Sequence, residues 1–145
     1  MSDLIERLRQ HWLNQGFSLD NGASKSQLEE LQSKYQIILP DDFKEYLLSI
    51  SWSKDYDSDD QTISFRTINR INEEAFVYRY SDTENYLAFA DFLISSHEYG
   101  IKLQSHSSTT PVFLLWNHTV IQIASSFTEF LERYLLDDEN LLFPK

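Results

Sequence analysis

The 145 residues contain no cysteine. That removes disulfide frameworks, thiolate nucleophiles and cysteine-based zinc or iron–sulfur sites, and it fits a reducing compartment. Glycine is almost as scarce, with Gly16, Gly22 and Gly100 the only three. Gly-rich phosphate loops and the dinucleotide fingerprint both need several closely spaced glycines, so both are excluded. There is no Gly-x-Ser-x-Gly nucleophile elbow. Long apolar runs are missing too, and nothing approaches the length of a membrane span. The start, Met1-Ser2-Asp3-Leu4-Ile5-Glu6-Arg7, interleaves charge with apolar residues and holds no signal core. A cytoplasmic location is therefore expected, with the sequon Asn117-His118-Thr119 idle.

The remaining chemistry-bearing residues assemble no catalytic pattern. His97-Glu98 begins like a zinc-protease motif, but Ile101 stands where the second histidine is needed. His11, His97, His106 and His118 show no ligand spacing on one element. Asp55-x-Asp57-x-Asp59 imitates a calcium loop. Asp60 then replaces the required glycine and Arg66 the bidentate glutamate, so the turn and the main ligand are both lost. Glu73-Glu74 reads as a solvated face. The expectation is a non-enzyme without metal or cofactor.

What the chain has in quantity is aromatic residues and acid. Ten Phe, eight Tyr and three Trp supply core material for one domain over 1–145, which at this size buries roughly 70% of its unfolded surface. The spacing of Leu4, Ile5, Leu8 and Trp12 predicts a helix over 3–15, capped by Ser2. A second helix is predicted over 26–35. Pro40 forces extended backbone on Leu39 and opens a third helix, whose face is Phe43, Tyr46, Leu47 and Ile50. A polar loop over 53–61 precedes a strand at 62–66 and a short helix at 69–76, with 76–81 extended or irregular. Strands follow at 86–95 and 99–104 around a His97-Glu98 turn, then a hairpin of 112–116 and 120–124 turning near Asn117-His118. The last helix is opened by Ser126 and Glu129 at capping-box spacing, with Phe127, Phe130, Leu131, Tyr134 and Leu135 on its apolar face. Helices, then strands, then a helix imply an α+β domain with a mostly antiparallel sheet.

The net charge is −11. Residues 51–100 hold ten acids against four bases, so −6 of it lies in the middle third. Such a field repels nucleic acid and anionic membranes and steers cationic partners inward. Asp55, Tyr56, Asp57, Asp59 and Asp60 form one cluster, and Tyr78, Tyr80, Asp82, Glu84 and Tyr86 a second. Tyrosine buries contact area at low entropic cost and keeps a hydrogen-bonding tip, so tyrosines among carboxylates suit a surface for a basic protein partner. The alternative is that the tyrosines pack within strands while the acids only keep the protein soluble.

Three segments carry a family resemblance. Leu39-Pro40-Asp41-Asp42-Phe43-Lys44-Glu45-Tyr46-Leu47 resembles the Leu-Pro helix signature of the SUKH superfamily, which includes the yeast cell-wall-synthesis regulator and many bacterial immunity proteins. Ile123-Ala124-Ser125-Ser126-Phe127-Thr128-Glu129-Phe130-Leu131 is similar to its C-terminal segment. Phe89-Ala90-Asp91-Phe92-Leu93, followed by Tyr99-Gly100-Ile101, is similar to its central strand pair. The resemblance runs from about Leu28 to Leu135. Where the family places an Asn-Gly after the Leu-Pro helix, this chain has Ile50-Ser51-Trp52-Ser53, so that loop turns differently. The resemblance implies a non-enzymatic immunity protein that neutralises a polymorphic toxin, for instance a nuclease or deaminase with a basic groove. The other role it implies is an interaction scaffold or regulator without a toxin partner.

Overall fold

The amphipathic spacing at the N-terminus becomes helix α1, Ser2–Asn14, which buries Leu4, Ile5, Leu8 and Trp12. The computed structural model describes residues 1–74, 86–92, 97–102, 110–116 and 119–141. Ser2 lies inside α1; the capping position is Met1, with no side-chain bond to the first turn. Strand β1, Leu19–Asp20, follows, then α2, Lys25–Tyr35. Ser24 opens α2 with a reciprocal box: its hydroxyl accepts from the Gln27 N–H, and the Gln27 side chain accepts from the Ser24 N–H. Helix α3, Asp41–Ser49, starts after extended Pro40 and buries Phe43, Tyr46 and Leu47.

Strand β2, Ser51–Trp52, pairs antiparallel with β1, a two-residue ladder too short to leave a periodic signal. Gly22 lies between β1 and α2 at φ +91°, and a Cβ there would come within 2.6 Å of the Leu48 carbonyl carbon. Only glycine suits so close a backbone approach at positive φ.

The main sheet is an antiparallel meander: β3 (Ile63–Phe65), β4 (Tyr86–Phe92), β5 (His97–Lys102), β6 (Val112–Trp116) and β7 (Thr119–Ala124), hydrogen-bonded in chain order. Helix α4, Ile68–Glu74, sits between β3 and β4. His97 and Glu98 begin β5 and do not form the expected turn. Glu98 pairs in register with Asp91 and Leu115, and its charge is met by Arg66. The ends of the expected strands (93–95 and 103–104), the segment 76–81 and the Asn117-His118 turn lie outside the described residues.

Helix α5, Phe127–Leu135, closes the core with Phe127, Phe130, Leu131 and Tyr134 and is followed by a 3-10 turn, Glu139–Leu141. Ser126 caps α5 by accepting from the Glu129 N–H at 3.0 Å. Glu129 reaches back to the Ser125 N–H at 2.7 Å, one residue earlier than the expected box. The sheet's inner face meets the helices through rings: Trp12 with Phe65 at 5.0 Å, Phe43 with Phe89 at 5.8 Å, and Phe130 with Tyr99 at 5.4 Å. This is the expected α+β architecture.

A bulge at Phe89 decides what faces the other way. Ala88 pairs with Gly100 and Ala90 with Tyr99, leaving Phe89 as the extra residue. The shift puts Phe89, Ala90 and Phe92 in the core and turns Asp91, with Ser64 and Glu98 as its register partners, to the outer face.

Candidate functional site

The loop between β2 and β3 carries the first acidic cluster, and its carboxylates divide into anchors and presented groups. Asp55 is an anchor: one oxygen accepts from the Thr67 N–H at 2.9 Å and the other from the Thr67 hydroxyl at 2.7 Å. This fixes the loop to the residue that precedes α4. Asp59, placed by the sequence on the binding surface, is instead 7% exposed. Its Oδ1 accepts from the Gln61 and Ile63 N–H groups, both at 2.9 Å, and its Oδ2 accepts from the Tyr134 hydroxyl. The Tyr134 oxygen in turn accepts from the Trp12 indole at 2.9 Å. Burial raises the Asp59 carboxyl above its ordinary value, although these three donors oppose the rise. Burial also raises the Tyr134 hydroxyl, with the Asp59 charge adding to it.

Asp57 and Asp60 are exposed, and their carboxylates have no hydrogen bond or ion pair among the described residues. Tyr56 is 73% exposed, at φ 70°, and its ring lies over the Arg70 guanidinium at 4.1 Å. A non-glycine residue in left-handed backbone costs energy, and a cation on the ring face returns part of it. Asp57, Asp60 and Tyr56 thus sit on a loop fixed at Asp55 and Asp59.

The second cluster fares differently. Tyr86 is 3% exposed and meets Phe113 edge-on at 5.2 Å, so it packs on the outer sheet face and is no surface contact. An alternating strand buries one residue in two on each covered face, and here both faces are covered. Tyr78, Tyr80, Asp82 and Glu84 lie outside the described residues.

Beneath Tyr56 lies a charge cluster that no motif announced. Arg66, Arg70, Asp91 and Glu98 are all at least nine-tenths buried. Asp91 accepts from Arg66 at 3.3 Å and from Arg70 at 3.1 Å, and Glu98 lies 3.6 Å from Arg66. The one available signal was Asp91 itself, a lone charge within the apolar run Tyr86–Phe92.

Among the cavities bordering the loop, two adjoin its presented acids. One, of about 620 Å³, is bounded by Gln15, Phe17, Trp52, Lys54, Asp57 and Asp60. The other, of about 350 Å³, is bounded by Tyr56, Asp57, Thr62, Ser64, Arg70 and Asp91. Among the described residues, no three His, Asp or Glu side chains gather as a metal ion would need, and no helix is long and apolar enough to cross a membrane.

The three motif segments meet in the core. Phe43, Phe89 and Phe127, one from each, are mutual ring neighbours at 5.8, 4.9 and 5.1 Å. Asp42 ties the first segment to the last by accepting from the Thr128 N–H at 2.9 Å and its hydroxyl at 3.0 Å. Residues 22–133 match the SMI1 / KNR4 family (SUKH-1). The chain belongs to this SUKH-1 family. Comparison with curated proteins gives no match. Within the SUKH-1 span, the family residues are caps and core faces that hold the fold. The acidic loop lies within the matched span, just after the segment 50–53, and α1 lies N-terminal to that span.

Proposed function

We propose that this SUKH-1 chain is a non-enzymatic, cytoplasmic immunity protein that binds and neutralises a cognate polymorphic toxin with a basic surface, such as a nuclease or deaminase. Membership of the family supports the class of role. The observation that carries the reading to a surface is the division of labour in the 53–62 loop. Asp55 and Asp59 are spent on holding it, whereas Asp57, Asp60 and Tyr56 are presented outward. A prearranged loop loses little entropy on binding, and unpaired acids raise the association rate with a cationic partner. Tyr78, Tyr80, Asp82 and Glu84 belong to the proposed face by their place in the sequence, and the buried Asp59 supports it by holding the loop.

Co-expression with the product of a neighbouring toxin gene tests this. The expected outcome is restored growth and a stoichiometric complex. Replacing Asp57 and Asp60 with Asn should slow association and flatten its salt dependence, with the unfolding midpoint unchanged. A chain that forms no complex with that product, and gives no protection, would instead be an interaction scaffold or regulator.

A further inference from the structure

The larger cavity has a composition that specifies a ligand. Its wall is aromatic: Phe17 stacks on Trp52 with ring centroids 4.2 Å apart and planes 23° off parallel. Two carboxylates, Asp57 and Asp60, border it without an internal partner among the described residues, and Lys54 offsets one of their charges. The third acid there, Asp59, is already held by Tyr134. Trp52 is 3% exposed, and its indole N–H has no acceptor among the described residues. A buried donor without an acceptor is uncommon, and this one belongs to a residue of the cavity wall.

We infer that this cavity is the docking site for a basic peptide segment of the partner, an arginine side chain with its flanking backbone. This rests on the immunity reading only for the identity of the partner. A volume of about 620 Å³ lies within the usual range for ligand sites, roughly 300–1,000 Å³, and exceeds what one side chain fills. The arginine stem and guanidinium plane lie along the aromatic wall, where cation–π attraction adds to apolar contact. The charged head meets Asp57 and Asp60. Charge complementarity selects this occupant, since an acidic or neutral segment leaves both carboxylates unpaired.

The test uses a short capped Gly-Arg-Gly peptide and its citrulline counterpart, which keeps the shape and loses the charge. Binding is followed by amide and indole NMR shifts. The arginine peptide should move the Trp52 indole, Phe17 and the 57–60 amides, and bind about tenfold more tightly than the citrulline peptide. Asp57→Asn with Asp60→Asn should remove that preference, and Lys54→Gln should strengthen it. Both substitutions alter exposed side chains without internal partners, so unchanged unfolding midpoints are expected. Equal binding of the two peptides, or shifts lying away from the cavity, would overturn the inference. If the peptides fail while a co-encoded toxin is still neutralised, the pocket falls and the immunity role stands. If the arginine peptide binds as described but no such toxin is bound, the pocket stands and the role falls.

Discussion

Asp59 shows how a single side chain can change its meaning once the chain closes. Read among its neighbours it is one more surface acid; folded, it terminates a buried relay from Trp12 through Tyr134. Tyr134→Phe removes the middle of that relay and leaves the Trp12 donor and one Asp59 oxygen unsatisfied. The expected cost is about 2–3 kcal/mol by chemical denaturation, larger than for an exposed hydrogen bond. Asp59 also predicts a pH dependence of unusual sign. Because its folded value lies above the ordinary 3.8, the folded state holds this proton more tightly than the unfolded state. Its contribution is therefore fully present below about 3.8 and is lost as pH rises through the folded value. Asp59→Asn is neutral throughout. The stability of the wild type relative to this variant should thus be greatest in acid and decline towards neutral pH, as unfolding curves across that range will show. None of this was legible locally, since Tyr134 lies 75 residues away.

At the scale of elements, legibility followed apolar periodicity. Helices α3 and α5 announced themselves because their core faces repeat over two or more turns and a proline or a capping serine marks the start. Ser126→Ala should cost about 1 kcal/mol, and Phe130→Ala about 3–5 kcal/mol, both measurable as shifts in the denaturation midpoint. A Phe130→Ala variant as stable as a surface change would mean that α5 does not close the core. The strands were harder to delimit. His97 and Glu98 carry no apolar pattern, so the sequence reads as a turn where β5 begins, and the two-residue β1 and β2 carry no pattern at all. The Phe89 bulge was equally hidden. A one-residue phase shift inside an all-buried strand leaves the apolar run continuous while reversing which side Asp91 faces. The candidate site was legible as a region, through its density of acids, but the roles within it depend on contacts with α4 and α5.

Taken whole, the described residues set a helical core on one side of the sheet and a buried charge cluster on the other. That cluster pairs two arginines with two acids, and Asp91 serves both arginines. Removing a shared partner is worse than never having had the charges. Asp91→Ala should therefore cost about 3–5 kcal/mol by denaturation and also disturb Tyr56, whose ring rests on Arg70. The Trp12–Tyr134 bond has a further consequence, because its partners lie 122 residues apart and join the first helix to the last. On the ribosome, at roughly 5–20 residues per second, α1 is finished on the order of ten seconds before its partner leaves the tunnel. Until then Leu4, Ile5, Leu8 and Trp12 have no completed core to enter. An interrupted chain that stops short of α5 therefore lacks the hydroxyl that meets both Trp12 and Asp59, and the loop that Asp59 holds has no Tyr134 to close on until synthesis reaches that helix.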